Sequence, residues 1–168
     1  QLNMACIMVE VPVLAYGSPH AFYREQLQRY QRVAHEHGAL FILDEIVTFP
    51  RFGIGGAQTL YKVTPDLCCV SKGMANGFPL SALGGKRQYM ERLNEGDIFA
   101  SWTFAGETTG LAACKATLTV LRETFALAQL HFYGREYAFK LMDDLELHGL
   151  PASIYGHAGD GNLHLMVF

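Results

Sequence analysis

The sequence predicts an α/β fold with a mostly parallel sheet and helices on both faces, and three observations carry that expectation. Short apolar runs recur through the first half, at 5–11, 39–43, 67–70 and 79–83, each bounded by turn-forming or charged residues. A stretch with apolar residues at three- and four-residue spacing separates the first two runs, which is the strand–helix–strand order of a parallel sheet. The second run, Ala39-Leu40-Phe41-Ile42-Leu43, is apolar at every position, as in a strand covered on both sides. A chain of 168 residues has the size of one ordinary domain able to bury a core.

Taken in order, 5–11 is a strand and 15–20 supplies turn chemistry, with Ser18 as a helix N-cap and Pro19 at the first helical position. Phe22, Leu27, Tyr30, Val33, Ala34 and His37 mark the apolar side of a helix over about 20–37, and Gly38 stands where a left-handed residue closes it. The 39–43 strand ends at Asp44-Glu45, and the 67–70 strand ends at Ser71-Lys72. The 79–83 strand precedes Gly84-Gly85 and a helix over about 86–93, whereas Gly53-Ile54-Gly55-Gly56 introduces no convincing helix. Helical pattern returns from 107 to about 130 and again over 136–147, closed by Gly149 and Pro151. Two short strands, 152–155 and 163–168, flank a Gly-rich turn at the end. The pattern is an α/β body through about residue 105 with an α+β tail.

Half of the residues are hydrophobic and 17% are charged, too apolar for a disordered chain, and no uncharged run is long enough for a membrane span. Lys and Arg number 13 against 16 Asp and Glu, mixed along the chain, so no basic patch awaits a nucleic-acid backbone. Neither nucleic acid nor membrane is an expected partner, and a cytoplasmic location is expected. Cys6, Cys68, Cys69 and Cys114 sit in apolar stretches without metal-ligand or disulfide spacing, which predicts reduced, buried thiols. The chain opens on Gln1 with no basic leader or cleavage site, so its start reads as internal to something longer.

Open parallel sheets bind ligands where the strands end and the loops diverge. Asp44 closes one strand there and Lys72 another, so the fold delivers a carboxylate and an amine to one rim. A partly buried salt bridge, or two unrelated rim charges, accounts for such a pair. So does a pyridoxal phosphate site, in which a lysine holds the cofactor aldehyde as a Schiff base. There a carboxylate keeps the ring nitrogen protonated, so that the ring takes up electrons released at the substrate carbon.

Leu43-Asp44-Glu45-Ile46-Val47-Thr48, Gly55-Gly56-Ala57-Gln58, Thr64-Pro65-Asp66-Leu67, Ser71-Lys72-Gly73 and Gly77-Phe78-Pro79-Leu80-Ser81-Ala82-Leu83-Gly84-Gly85 follow one another in register. Together they resemble the class III pyridoxal-phosphate aminotransferases, and most of all their glutamate-1-semialdehyde aminomutase branch, over about residues 6–122. The resemblance implies the large domain of a fold-type-I pyridoxal-phosphate-dependent transferase, incomplete, over 1–122, with part of the small C-terminal α+β domain over 123–168. It implies pyridoxal 5'-phosphate as cofactor, Lys72 as the catalytic Schiff-base and proton-shuttling lysine, Asp44 as partner of the ring nitrogen and Ile46 as the aliphatic residue on one ring face. Thr103, within Trp102-Thr103-Phe104-Ala105-Gly106-Glu107, matches the hydroxyl that meets the cofactor phosphate, commonly that of a neighbouring subunit. Free N–H groups at the start of the helix that follows would suit the same anion, although a capping or turn role also explains Thr103. The implied activity is amino-group transfer between small amine or amino acid donors and carbonyl acceptors, or between adjacent carbons of one molecule, in a homodimer with shared active sites.

Two stretches depart from the family. Thr48-Phe49-Pro50-Arg51 stands where Thr-Gly-Phe-Arg is frequent, which bears on the substrate side, and Val9-Glu10-Val11-Pro12 spaces the usual Glu-Pro pair by one extra residue. The Gly/Ser-rich phosphate loop and the ring-stacking aromatic that the family carries upstream have no counterpart in this sequence. A truncated chain or a noncatalytic remnant is therefore an alternative. Gly156-His157-Ala158-Gly159-Asp160-Gly161-Asn162-Leu163-His164 resembles a signature in the C-terminal domain of FAD-linked 2-hydroxyacid oxidoreductases, in which His157 and His164 would ligate a divalent metal. A Gly-rich hairpin with two surface histidines explains the same residues, and the amino-transfer site itself calls for no metal.

Overall fold

A computed structural model of the chain describes residues 4–11, 24–96, 98–99, 101, 103–157 and 162–167, with the backbone alone for 94, 152–157 and 162–167. The first sheet is laid down in chain order as β1 (Cys6–Glu10), β2 (Leu40–Glu45), β3 (Leu67–Val70) and β4 (Ala82–Gly85). β1, β2 and β3 run parallel and β4 returns antiparallel, so the mostly parallel plan expected from the apolar runs is the one observed.

The connection from β1 to β2 contains α1 (Arg24–Glu36), which packs against both strands and buries Leu27 and Ala34. The start expected for this helix, with Ser18 and Pro19, lies outside the described residues. Its end is as expected: Gly38 has φ 67°, and the Ala39 N–H turns back to the Ala34 carbonyl at 2.8 Å. Along β2, buried Phe41, Leu43 and Glu45 alternate with half-buried Leu40, Ile42 and Asp44. Leu27, Phe41 and Leu43 are fully buried, each worth about 1.5–3 kcal/mol, so the seam between α1 and β2 holds the body together.

Several elements differ from the sequence expectation, for physical reasons. A short helix, α2 (Gly56–Tyr61), does follow the glycines, because its first N–H groups are satisfied by Glu45, far away in sequence. β4 starts later than the expected 79–83 and runs on through Gly84-Gly85. A Cβ on Gly85 would collide with the Asp66 carbonyl, so that glycine permits the close pairing of β3 and β4. α3 (Arg87–Asn94) follows as expected.

The long helical pattern breaks between α4 (Thr108–Glu123) and α5 (Ala126–Leu147), earlier than expected. Thr124 makes the break: it is extended, its hydroxyl donates to the Val120 carbonyl at 2.7 Å, and the same oxygen accepts from the Ala126 N–H at 3.1 Å. Gly134, near the expected break, is instead buried within α5. β5 (Ala152–His157) and β6 (Asn162–Val167) form a separate antiparallel hairpin whose turn lies outside the described residues. The four thiols are free, but Cys68 alone is buried; Cys69 and Cys114 are half-buried and Cys6 is exposed on β1, contrary to the expectation of burial. Among the described residues no helix is long and apolar enough to cross a membrane.

Candidate active site

Asp44 lies opposite Cys69 in the parallel ladder of β2 and β3, and Lys72 follows the end of β3. The two side chains therefore arise at the carboxyl ends of neighbouring strands, on the rim where the sheet leaves room for a ligand. The Ile46 N–H donates to Asp44 Oδ1 at 2.9 Å, which orients the half-buried carboxylate while Oδ2 accepts nothing from the described residues. Lys72 is exposed, and among the described residues it forms no ion pair with Asp44. The salt-bridge reading of this pair is thus not what the structure contains.

Lys72 has a left-handed backbone, φ 46°, which costs a residue with a Cβ roughly 1–2 kcal/mol. A one-turn 3₁₀ segment, Lys72–Ala75, holds it, with Met74 and Ala75 buried beneath and the Met74 N–H donating to the Ser71 carbonyl at 3.2 Å. Gly73 sits against the preceding loop, where a Cβ would stand 3.3 Å from Arg51 Nη1 and 3.4 Å from Pro50 Cδ. The unusual Phe49-Pro50-Arg51 segment therefore buttresses the lysine turn.

Glu45, beside Asp44, was not singled out by sequence, and it organises the neighbourhood. It is fully buried and accepts from the Ala57 N–H, from the Gln58 N–H at 3.3 Å and from Gln58 Nε2 at 3.1 Å. Its carboxylate thereby caps α2 and fixes the strand end that carries Asp44 and Ile46. Gly56, φ 64°, has to be glycine, because a Cβ there would collide with the Glu45 carboxylate. Burial, reinforced by Glu45, pushes the nearby Cys68 thiol up to about 12, and burial followed by the Asp44 charge raises Cys69, which disfavours the thiolate at both.

At the opposite end of β3, Asp66 is buried and ties three segments together. It accepts from Lys86 Nζ at 2.6 Å and from the Phe41 N–H at 2.7 Å, and meets His35 Nε2 at 2.8 Å. Burial alone would raise its carboxyl; the hydrogen bonds from Lys86, Phe41 and His35 outweigh that and hold it below the usual range.

Thr103 is exposed in a turn ahead of α4. The free helix-start N–H groups expected beside it are not free: Glu107 Oε1 accepts from the Thr109 N–H at 2.8 Å and Oε2 from the Gly110 N–H at 2.6 Å. Those bonds, that from Gly110 first, hold the Glu107 carboxyl below its ordinary value. An anion held by Thr103 would have to rely on the hydroxyl, not on this helix. A cavity of about 730 Å³ lies between the Pro50-Arg51 loop, Gly73, Asn76 and the apolar sides of α4 and α5, but none of Asp44, Ile46, Lys72 and Thr103 lines it. Among the described residues no cluster of His, Cys, Asp and Glu is placed to hold a metal. The backbones of His157 and His164 stand on the two strands of the β5–β6 hairpin, and their side chains lie outside the description.

The donor set has the chemistry that pyridoxal phosphate calls for: an acid oriented through one oxygen, its other oxygen accepting nothing from the described residues, and an amine just past the end of the next strand with no ion-pair partner among them.

A family profile described as Aminotransferase class-III matches residues 1–157. The 2'-deamino-2'-hydroxyneamine transaminase of Streptomyces kanamyceticus is 36% identical over 144 residues, covering 86% of this chain and 36% of the relative. Glutamate-1-semialdehyde 2,1-aminomutase of Methanothrix thermoacetophila is 34% identical over 148 residues, covering 86% and 34%. The chain thus spans about a third of the length of these relatives. Among solved structures, the internal aldimine form of the FumI protein of Sphingopyxis sp. MTA144, with its pyridoxal phosphate, superposes with a TM-score of 0.81 at 26% identity, over 98% of this chain and 39% of that one. An omega-transaminase from Sphaerobacter thermophilus superposes with a TM-score of 0.71 at 25% identity, over 91% and 35%.

Proposed function

Because the chain belongs to the class-III aminotransferase family, we propose that Lys72 and Asp44 hold pyridoxal 5'-phosphate between them and that the protein transfers amino groups between small amine or amino acid donors and carbonyl acceptors. The observation that carries this reading is the pair itself. An acid steadied by the Ile46 N–H and an amine set in a left-handed turn stand at the ends of adjacent parallel strands without neutralising one another.

When bound, pyridoxal phosphate supplies an aldehyde that condenses with amines and a ring that takes up electrons from carbon. Lys72 Nζ would hold the aldehyde end and, when free, would be the base that carries a proton. Asp44 Oδ2 is the open oxygen suited to keep a proton at the ring nitrogen. Ile46 would cover one ring face, and the Thr103 hydroxyl, contributed by the second copy of a homodimer, would donate to the phosphate. Phe99 and Phe104, 90% and 57% exposed near Thr103, support burial of this loop by another subunit. The same reading places the partial cofactor domain in 1–122 and the partial C-terminal domain in 123–168, near the Thr124 break, and places the protein in the cytoplasm.

Spectroscopy of the protein mixed with pyridoxal phosphate tests the reading. Wild type develops an imine absorbance band, and Lys72→Ala develops none and turns over no amine. Asp44→Asn keeps the band and slows proton abstraction by about a hundredfold or more. A band that survives Lys72→Ala, or an unchanged rate in Asp44→Asn, removes that residue from its role.

A further inference from the structure

We infer that Ser71 is a positioning residue for Lys72, an inference that rests on the role of Lys72 proposed above. The β3–β4 ladder ends where Val70 faces Ala82. Just beyond it, the Ser71 hydroxyl donates to the Leu80 carbonyl at 2.8 Å, tying together the two ends of the loop that begins with Lys72. The Ser71 carbonyl is held as well, by the Met74 N–H at 3.2 Å. Ser71 is thus pinned at two atoms, and with it the plane of the peptide bond from which Lys72 departs.

That plane matters because Lys72 does not keep its conformation by local preference. Its φ is 46°, and Asn76 and Gly77 in the same loop have φ 48° and 98°. A side-chain-bearing residue relaxes out of the left-handed region unless its surroundings fix it. On the far side of Lys72 the fixing groups are buried Met74 and Ala75 and the close seat of Gly73 on Arg51 and Pro50. On the near side it is Ser71. Without the hydroxyl, Ser71 keeps its carbonyl bond to Met74 within the same turn but loses its tie to Leu80 across the loop, and the Val70–Ala82 rung is then the nearest described link to the β4 side. A rotation of about 10° at the root of an extended lysine moves its Nζ by roughly 1 Å. Misplacement on that scale costs reactions far more than it costs folds.

The test compares wild type, Ser71→Ala and Ser71→Thr, each mixed with pyridoxal phosphate and quenched with borohydride over time. Peptide mass spectrometry then measures label on Lys72 against label on Lys62, Lys86, Lys115 and Lys140. Expected is labelling of Lys72 about tenfold slower in Ser71→Ala, a shifted pH midpoint of the imine absorbance, unchanged labelling of the other lysines and a preserved thermal transition, with Ser71→Thr restored to wild type. Ser71→Ala labelling Lys72 at the wild-type rate with the same pH midpoint overturns the inference. So does slow labelling that tracks a general loss of the thermal transition and is not restored by threonine. Wild type labelled no faster at Lys72 than elsewhere overturns the role of Lys72 itself, and this inference with it.

Discussion

Asp44 and Lys72 stood out in the sequence because each closes an apolar strand at the rim where an open parallel sheet binds ligands. Glu45 did not stand out, although it is the more deeply buried acid, since its partners on α2 are more than ten residues away. Chain order hides such a bond; only the folded β2–α2 corner reveals it. Gly56 follows from the same corner. Gly56→Ala combines a left-handed φ of 64° with a collision against Glu45, and a loss of about 2 kcal/mol or more is expected in urea unfolding. A midpoint equal to wild type would show that the corner opens at no cost.

Between elements, Asp66 is a polar tie, linking α1 through His35, β2 through the Phe41 N–H and the approach to α3 through Lys86. Its folded carboxyl lies below the ordinary aspartate value of 3.8. The stability it contributes is therefore fully present above that value and is lost as pH falls through the folded one. Asp66→Asn is expected to cost about 2 kcal/mol near neutrality and to flatten the decline of stability below about pH 4, measured as unfolding free energy against pH. A variant that keeps the wild-type slope places the acid sensitivity elsewhere. The Thr64-Pro65-Asp66 motif was legible as part of a resemblance, yet its role as a clasp was not, because its partners belong to three elements.

Elements were read well where their signals are local. Gly38 closes α1 as its position suggested, and β2 and β3 end close to where the apolar runs end. They were read poorly where a side-chain hydrogen bond decides. α2 is capped by a residue of β2, the α4–α5 break depends on one threonine hydroxyl used twice, and the α4 start that seemed ready for an anion is filled by Glu107. The first of these bonds joins residues distant in the chain, and the other two are local bonds that apolar periodicity does not display.

For the molecule as a whole, the parallel order of β1, β2 and β3 is what brings acid and amine to one rim, and it was legible from the strand–helix–strand pattern. The chain corresponds to about a third of its relatives, so substrate choice and assembly belong to the proposal. If two copies share a site through Thr103, sedimentation of the cofactor-loaded protein shows a dimer that Phe99→Lys weakens by about tenfold in dissociation constant. A wild type that sediments as a monomer at all concentrations removes Thr103 from the phosphate site.

A crystal structure of the protein loaded with pyridoxal phosphate is the decisive measurement for Lys72 and Asp44. Expected are the cofactor's aldehyde carbon bonded to Lys72 Nζ and its ring nitrogen within hydrogen-bond distance of the Asp44 carboxylate. Cofactor density joined to another lysine, or a ring nitrogen facing away from Asp44, would contradict their proposed roles.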